Sequence, residues 1–245
     1  MSMQVISWEE YISSVFNPLA VTIGVFDGVH KGHQSLIQQI CASPYTSAVV
    51  TFRENPARIL HGEAVWMNNA TRRSPNEIHS KTRTGGFALA NPAGACTLKP
   101  DAFAGDIINL EQKLSFLEAL GVQLTVLIDF SPKFSKISGR DFINLLLNSQ
   151  AVKLIALGRN FRCGYQLDTG AEEIQSLARA QGVEVWIAPP VLDGGQPVSS
   201  SRIRQALADG RRAEAERLLG RPLGQDLWSR PLESISPDNT VPNRR

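Results

Sequence analysis

His30 and His33 stand three residues apart in the stretch Val21-Thr-Ile-Gly-Val-Phe-Asp-Gly-Val-His-Lys-Gly-His33. At that spacing both imidazoles project from one side of a helix start, where unpaired backbone amides already attract anions. The chemistry suited to such a pair is donation of hydrogen bonds to phosphate. Gly28 and Gly32 permit the tight turn and a close approach of backbone to a bound group.

Two later stretches carry donors of the same kind. Gly158-Arg-Asn-Phe-Arg-Cys-Gly164 is a polar, glycine-bounded loop that presents Asn160, Phe161 and Arg162. Val198-Ser-Ser-Ser-Arg-Ile-Arg204 opens a helix that Ser199 or Ser200 can cap, leaving Ser201, Arg202 and Arg204 beside a second amide-rich N-terminus. Hydroxyls, amides and cations around one phosphorus are what phosphoryl transfer needs, since it rests on positioning and charge stabilisation. Other chemistries lack their marks: the chain contains no GxxxxGK[ST] loop, no GxGxxG opening the first helix and no GxSxG serine. A protein metal cage is not expected, because His61 and His79 fall in an irregular segment and no acidic cluster completes a site.

These loops need a scaffold, and the apolar pattern supplies one. Val21 to Phe26 reads as a strand covered on both faces, followed by a helix marked by Leu36, Ile37 and Ile40. Further strands are expected at 48–52, 124–128, 152–157 and 183–188, with a short edge strand at 4–6. Helices are expected at 8–15, 107–120 (Leu110, Leu114, Leu117 and Ala119, ended by Gly121), 138–147 capped by Ser138, 171–181 and 203–208. The alternation predicts an α/β, Rossmann-like, doubly wound parallel sheet of about five strands. All three loaded loops then fall at carboxyl ends of strands, where such sheets bind ligands.

Between residues 57 and 106 periodicity gives way to breakers such as Asn68-Asn69 and Gly85-Gly86, which predicts an irregular insertion. Its Arg72, Arg73, Lys81 and Arg83 read as a solvated loop. A net charge of +2 on 245 residues predicts no nucleic-acid surface. Cys41, Cys96 and Cys163 are odd in number and widely spaced, so no disulfide framework is expected. With no basic-then-apolar leader and no apolar run long enough for a membrane span, a cytoplasmic location is expected.

Gly24-Val-Phe-Asp-Gly-Val-His-Lys-Gly-His33 resembles the GxFDGxHxGH signature of the bacterial FAD synthetases, within the HxGH nucleotidyltransferase superfamily. Asn109-Leu-Glu-Gln-Lys113, Phe134-Ser-Lys-Ile-Ser138 with Asp141-Phe142, Gly158 to Gly164, Ser199 to Arg204, and Leu218-Leu-Gly-Arg-Pro222 resemble that family's later motifs in order. The resemblance implies that FMN and MgATP are joined into FAD and pyrophosphate by direct in-line attack. It implies that His30, His33, Ser200 and Arg204 are catalytic, and that Gly24, Phe26, Asp27, Gly28 and Gly32 shape the adenylate side. It further implies that Gly158, Asn160, Phe161, Arg162, Ser199 and Ser201 bind substrate, with Mg²⁺ held by phosphate oxygens and water rather than by protein ligands.

Departures from the family fall on the flavin side. Asn55 in Phe52-Arg-Glu-Asn-Pro56 stands where the family's FxPHP motif has histidine, and Cys163 stands where a phenylalanine is usual. A flavin- or nucleotide-binding module without turnover is therefore the alternative. Residues 1–222 are expected to form the nucleotidyltransferase unit and 223–245 a flexible tail too short for a riboflavin kinase barrel, so no riboflavin phosphorylation is expected. Oligomeric state is not legible.

Overall fold

The computed structural model describes residues 2–57 and 105–224. The expected insertion and tail lie almost wholly outside these residues. Six strands form the sheet: β1 (Gln4–Ser7), β2 (Leu19–Ile23), β3 (Thr46–Phe52), β4 (Leu124–Ile128), β5 (Val152–Gly158) and β6 (Glu184–Ala188). Their order is β1-β4-β3-β2-β5-β6 and every neighbouring pair is parallel. The count is one more than the expected five because the short N-terminal edge strand joins the sheet. Two-residue antiparallel ribbons, 162–163 with 169–170 and 192–193 with 196–197, decorate its rim.

Helices cover both faces, as a doubly wound sheet requires. On one face lie α1 (Trp8–Ser13), α4 (Gly139–Leu147) and α5 (Ala171–Arg179). On the other lie α2 (Lys31–Cys41), α3 (Leu110–Ala119), α6 (Ser200–Ala208) and α7 (Arg212–Leu219). Strand β2 is buried along its whole length, with Leu19, Val21 and Ile23 in the first core and Ala20 in the second. From β2 the chain winds outward through β3 and β4, then returns to place β5 on β2's other edge. The winding reverses there, so the switch point at which such sheets bind ligands lies at the carboxyl ends of β2 and β5.

Some boundaries differ from expectation for local reasons. Helix α3 starts at Leu110 rather than Ile107, because Asn109 and Gln112 form a reciprocal capping box and the amides before it have another partner. Helix α6 starts at Ser200, capped by Ser199, whose hydroxyl accepts from the Arg202 amide. Helix α7, unexpected from the sequence, runs into Leu218-Leu219 and stops at Gly220 with φ 74°.

Under α1 and α4, stacked Trp8, Tyr11 and Phe16 meet Phe142 and Phe134. The Tyr11 hydroxyl donates to Leu146 O at 2.8 Å in this buried setting. Removing that donor strands a carbonyl, so Tyr11→Phe is expected to lower unfolding free energy by about 1–3 kcal/mol. Urea unfolding checks this, and an unchanged midpoint would contradict it.

Candidate active site

Strand β2 ends at Ile23, not at Phe26 as the apolar run suggested. Gly24 N still donates to Val50 O at 3.1 Å, but Phe26 (φ 52°), Gly28 (φ 82°) and Val29 (φ 40°) then enter the left-handed region and wind the chain into α2. Phe26 is driven there by burial of its ring. Gly28 is favoured by its positive φ, and all three glycines of the turn sit where a side chain would be crowded. A Cβ on Gly24 would lie 3.2 Å from the Phe26 ring, one on Gly28 3.2 Å from Ile107, and one on Gly32 3.1 Å from the His30 ring.

His30 caps α2, its Nδ1 accepting from the His33 amide at 3.4 Å. With Nδ1 as acceptor, the proton of a neutral His30 belongs on Nε2. The two imidazoles stack with centroids 3.6 Å apart, and the His33 ring meets Phe26 edge-on at 5.0 Å. Burial pushes His30 down to about 4, helped by the nearby Arg221 and Arg204. His33 is pushed well below its ordinary value, by burial first and then by His30, Lys113 and Arg221. Both rings are therefore neutral hydrogen-bonding groups near pH 7, and His33 Nδ1 is buried without a partner among the described residues.

Asp27 joins three segments. One oxygen, Oδ1, accepts from the Ile107 amide at 2.9 Å and the Ile108 amide at 3.4 Å, at the entry to α3. The other, Oδ2, pairs with Arg204 of α6, whose Nε also donates to Gly105 O at 3.3 Å. Asp27's backbone carbonyl accepts from Ser200 Oγ at 2.9 Å. Burial raises the Asp27 pKa, with Arg204 opposing.

Beside Asp27 lies a small cleft, lined by Arg53, Asn55, Asp106 and Lys113 among others. Asn55, 8 % exposed, donates from Nδ2 to Asp106 Oδ1 at 3.0 Å and accepts from the Ala57 amide at 3.1 Å. Lys113 is buried on α3 and donates to Phe52 O at 3.1 Å; burial lowers its pKa against the pull of Asp27 and Asp106.

The structure thus brings together Gly24, Phe26, Asp27, Gly28, His30, Gly32, His33, Asn55, Ser200 and Arg204. Ser199 serves as the α6 cap, and Ser201 is exposed on its first turn. The 158–164 loop sits at the adjacent strand end but packs on the opposite layer. Phe161 and Cys163 rest against the core under α4, and Arg162 donates to Leu167 O and Asp168 O of its own loop. Gly158 ends β5, and Asn160 is exposed. Burial pushes the Cys163 thiol up to about 12, so it is a packing group rather than a nucleophile.

Lys113, Asp106 and Arg221 were absent from the expected site. Lys113 was the most legible of them: it lies four residues before Leu117, and those two are the buried positions of α3. A charge on the buried stripe of a helix is a signal in itself. Arg221 donates to two carbonyls of the histidine turn, and only its place in Leu218-Leu-Gly-Arg-Pro222 marked it.

A family model described as FAD synthetase matches residues 13–82 and 88–202. The chain belongs to the FAD synthetase family. Among its relatives, a bifunctional riboflavin kinase/FMN adenylyltransferase of Escherichia coli (strain K12) is 29 % identical over 203 residues, covering 82 % of this chain and 54 % of the relative. A protein of the same description from Haemophilus influenzae is 25 % identical over 225 residues, covering 90 % and 61 %. The chain therefore spans a little over half the length of these curated relatives. A crystal structure titled macrolide-efflux protein, from Streptococcus pneumoniae, superposes with TM-score 0.64 at 26 % identity, covering 90 % of this chain and 63 % of that one. Both the His30 turn and the 199–202 stretch lie inside the matched FAD synthetase segments; Arg204 and Arg221 lie beyond them.

The neutral His30 has a stability consequence. Its folded value of about 4 lies below the ordinary 6.5, so the unfolded chain binds the extra proton between them. The stabilisation is whole above 6.5 and is lost as pH falls toward 4. Asp27, shifted upward, acts in the opposite sense and is common to both proteins in a comparison with His30→Gln. Between neutral pH and about pH 4.5, unaltered protein is expected to lose about 2–3 kcal/mol more than the variant. Urea titrations check this, and parallel pH profiles would contradict it.

Proposed function

We propose that this chain transfers the adenylyl group of MgATP to FMN, producing FAD and pyrophosphate. An FMN phosphate oxygen attacks the α-phosphorus in line, the bond to the α–β bridging oxygen breaks, and pyrophosphate departs with the electron pair. No covalent enzyme intermediate is involved. The observation that carries this reading is the stacked, neutral His30–His33 pair at the N-terminus of α2. It is a ready acceptor of polyphosphate charge at the sheet's switch point.

Each residue then has a task. His30 Nε2–H and His33 donate to oxygens of the departing pyrophosphate, whose negative charge raises their pKa values and draws a proton onto the pair. Asp27 and Ser200 fix the turn against α6, and Arg204 stands beside them as a cation for the transferring group. Asn55 and the cleft beside it, with the 158–164 loop at the end of β5, form the acceptor side. Mg²⁺ enters as part of the substrate, since phosphate oxygens with water suit this ion. Among the described residues no helix is long and apolar enough to cross a membrane.

Purified protein given FMN, ATP and Mg²⁺ is expected to release FAD and pyrophosphate in equal amounts. His33→Ala should cut turnover by roughly 10²- to 10³-fold while ATP affinity falls far less. Full turnover in that variant would overturn the mechanism. Tight ATP binding without pyrophosphate release across a panel of phosphate acceptors would select the non-catalytic module instead.

A further inference from the structure

The histidine turn contains an unusual backbone. Val29 is β-branched, fully buried and held at φ 40°, where such residues are outliers. That conformation costs about 1–3 kcal/mol, and burial of a valine side chain returns about 1.5–3 kcal/mol. Packing alone leaves the turn near balance, so its hydrogen bonds decide its shape.

Those bonds converge on two carbonyls. Arg221 Nη2 donates to Gly28 O at 2.6 Å and Nη1 to Val29 O at 3.2 Å. Gln34 Nε2 donates to Val29 O at 2.9 Å and also to Leu219 O at 2.9 Å, tying the same peptide to the end of α7. The guanidinium carbon lies 3.8 Å from the centroid of the Phe116 ring, and burial lowers its pKa to about 10. A trans peptide points its N–H opposite to its carbonyl. With Val29 O fixed by two donors, the His30 amide must point away from Arg221, and the His30 side chain leaves the chain from that fixed peptide.

We propose that Arg221 is a positioning residue for polyphosphate: its fork holds the strained Gly28–Val29 peptides so that the His30 amide and the histidine pair face a phosphate group. This rests on the function proposed above. A lysine keeps the charge but offers no planar fork for two carbonyls and no face for Phe116, so it separates positioning from simple attraction.

The experiment compares unaltered protein with Arg221→Lys and Arg221→Ala in two arms, each with and without guanidinium chloride below denaturing levels. One arm is calorimetric binding of inorganic pyrophosphate, which needs no acceptor; the other is FMN-dependent turnover, with melting curves to confirm folding. Both variants should bind pyrophosphate about tenfold more weakly and lose about a hundredfold in kcat with KM for FMN unchanged. Guanidinium ion should restore Arg221→Ala but not Arg221→Lys. Unchanged affinity in both variants, a folded Arg221→Ala that guanidinium does not rescue, or unaltered protein that does not bind pyrophosphate each overturns the proposal. If Arg221→Ala fails to fold, Arg221→Lys decides: normal affinity overturns and weakened affinity supports. Absence of FAD from the unaltered protein sinks the proposed function, while the pyrophosphate arm still judges Arg221.

Discussion

A single buried carboxylate sets the geometry of this molecule's ligand end. Asp27, 4 % exposed, accepts two amides at the start of α3 and pairs with Arg204 of α6, while its own carbonyl takes the Ser200 hydroxyl. Segments separated by some eighty and by more than one hundred and seventy residues, at 107 and at 200–204, are thereby fixed to one turn. Buried ion pairs contribute little net stability against an apolar replacement, but removal of one partner costs about 3–5 kcal/mol because the other is left stranded. The value of such a pair lies in register. It cannot be satisfied unless all three segments arrive together.

The same enclosure explains the state of the histidines. Lys113, Arg204 and Arg221 surround the turn, and their charges add to burial in disfavouring imidazolium. A site so arranged is cationic at its rim and neutral at its donors. Incoming polyphosphate reverses both influences, neutralising the cations and inviting a proton onto the stacked rings. On the function proposed above, this prepares the site for a leaving group that gains charge late in the reaction.

Local pattern made the scaffold legible and left the closure of the site obscure. Strand 124–128 and the cap Ser138 follow directly from apolar runs and hydroxyl placement and stand in the structure as read, while of the two serines open as the later cap the structure uses Ser199. The histidine turn was recognisable as an anion site because spacing alone places two rings at a helix start. Phe26 was misread as the end of the strand because apolar composition does not encode a positive φ that packing imposes, and the same holds for the strained backbone of Val29 in the turn. The roles of Asp27, Ser200 and Arg204 toward one another depend on a contact spanning some 177 positions, for which no periodicity exists. Lys113 and Arg221 were missed for a related reason: each acts through backbone carbonyls of another segment, and a carbonyl leaves no mark in a sequence.

A double-mutant cycle on Asp27→Asn and Arg204→Met, read both as urea unfolding free energy and as the rate of pyrophosphate release, tests most directly whether one buried pair holds these segments in register. The double variant is expected to lose about as much as the more damaging single variant, so that the coupling in stability is about as large as the smaller single loss. Losses that simply add in both readouts would contradict the central role given to the Asp27–Arg204 pair.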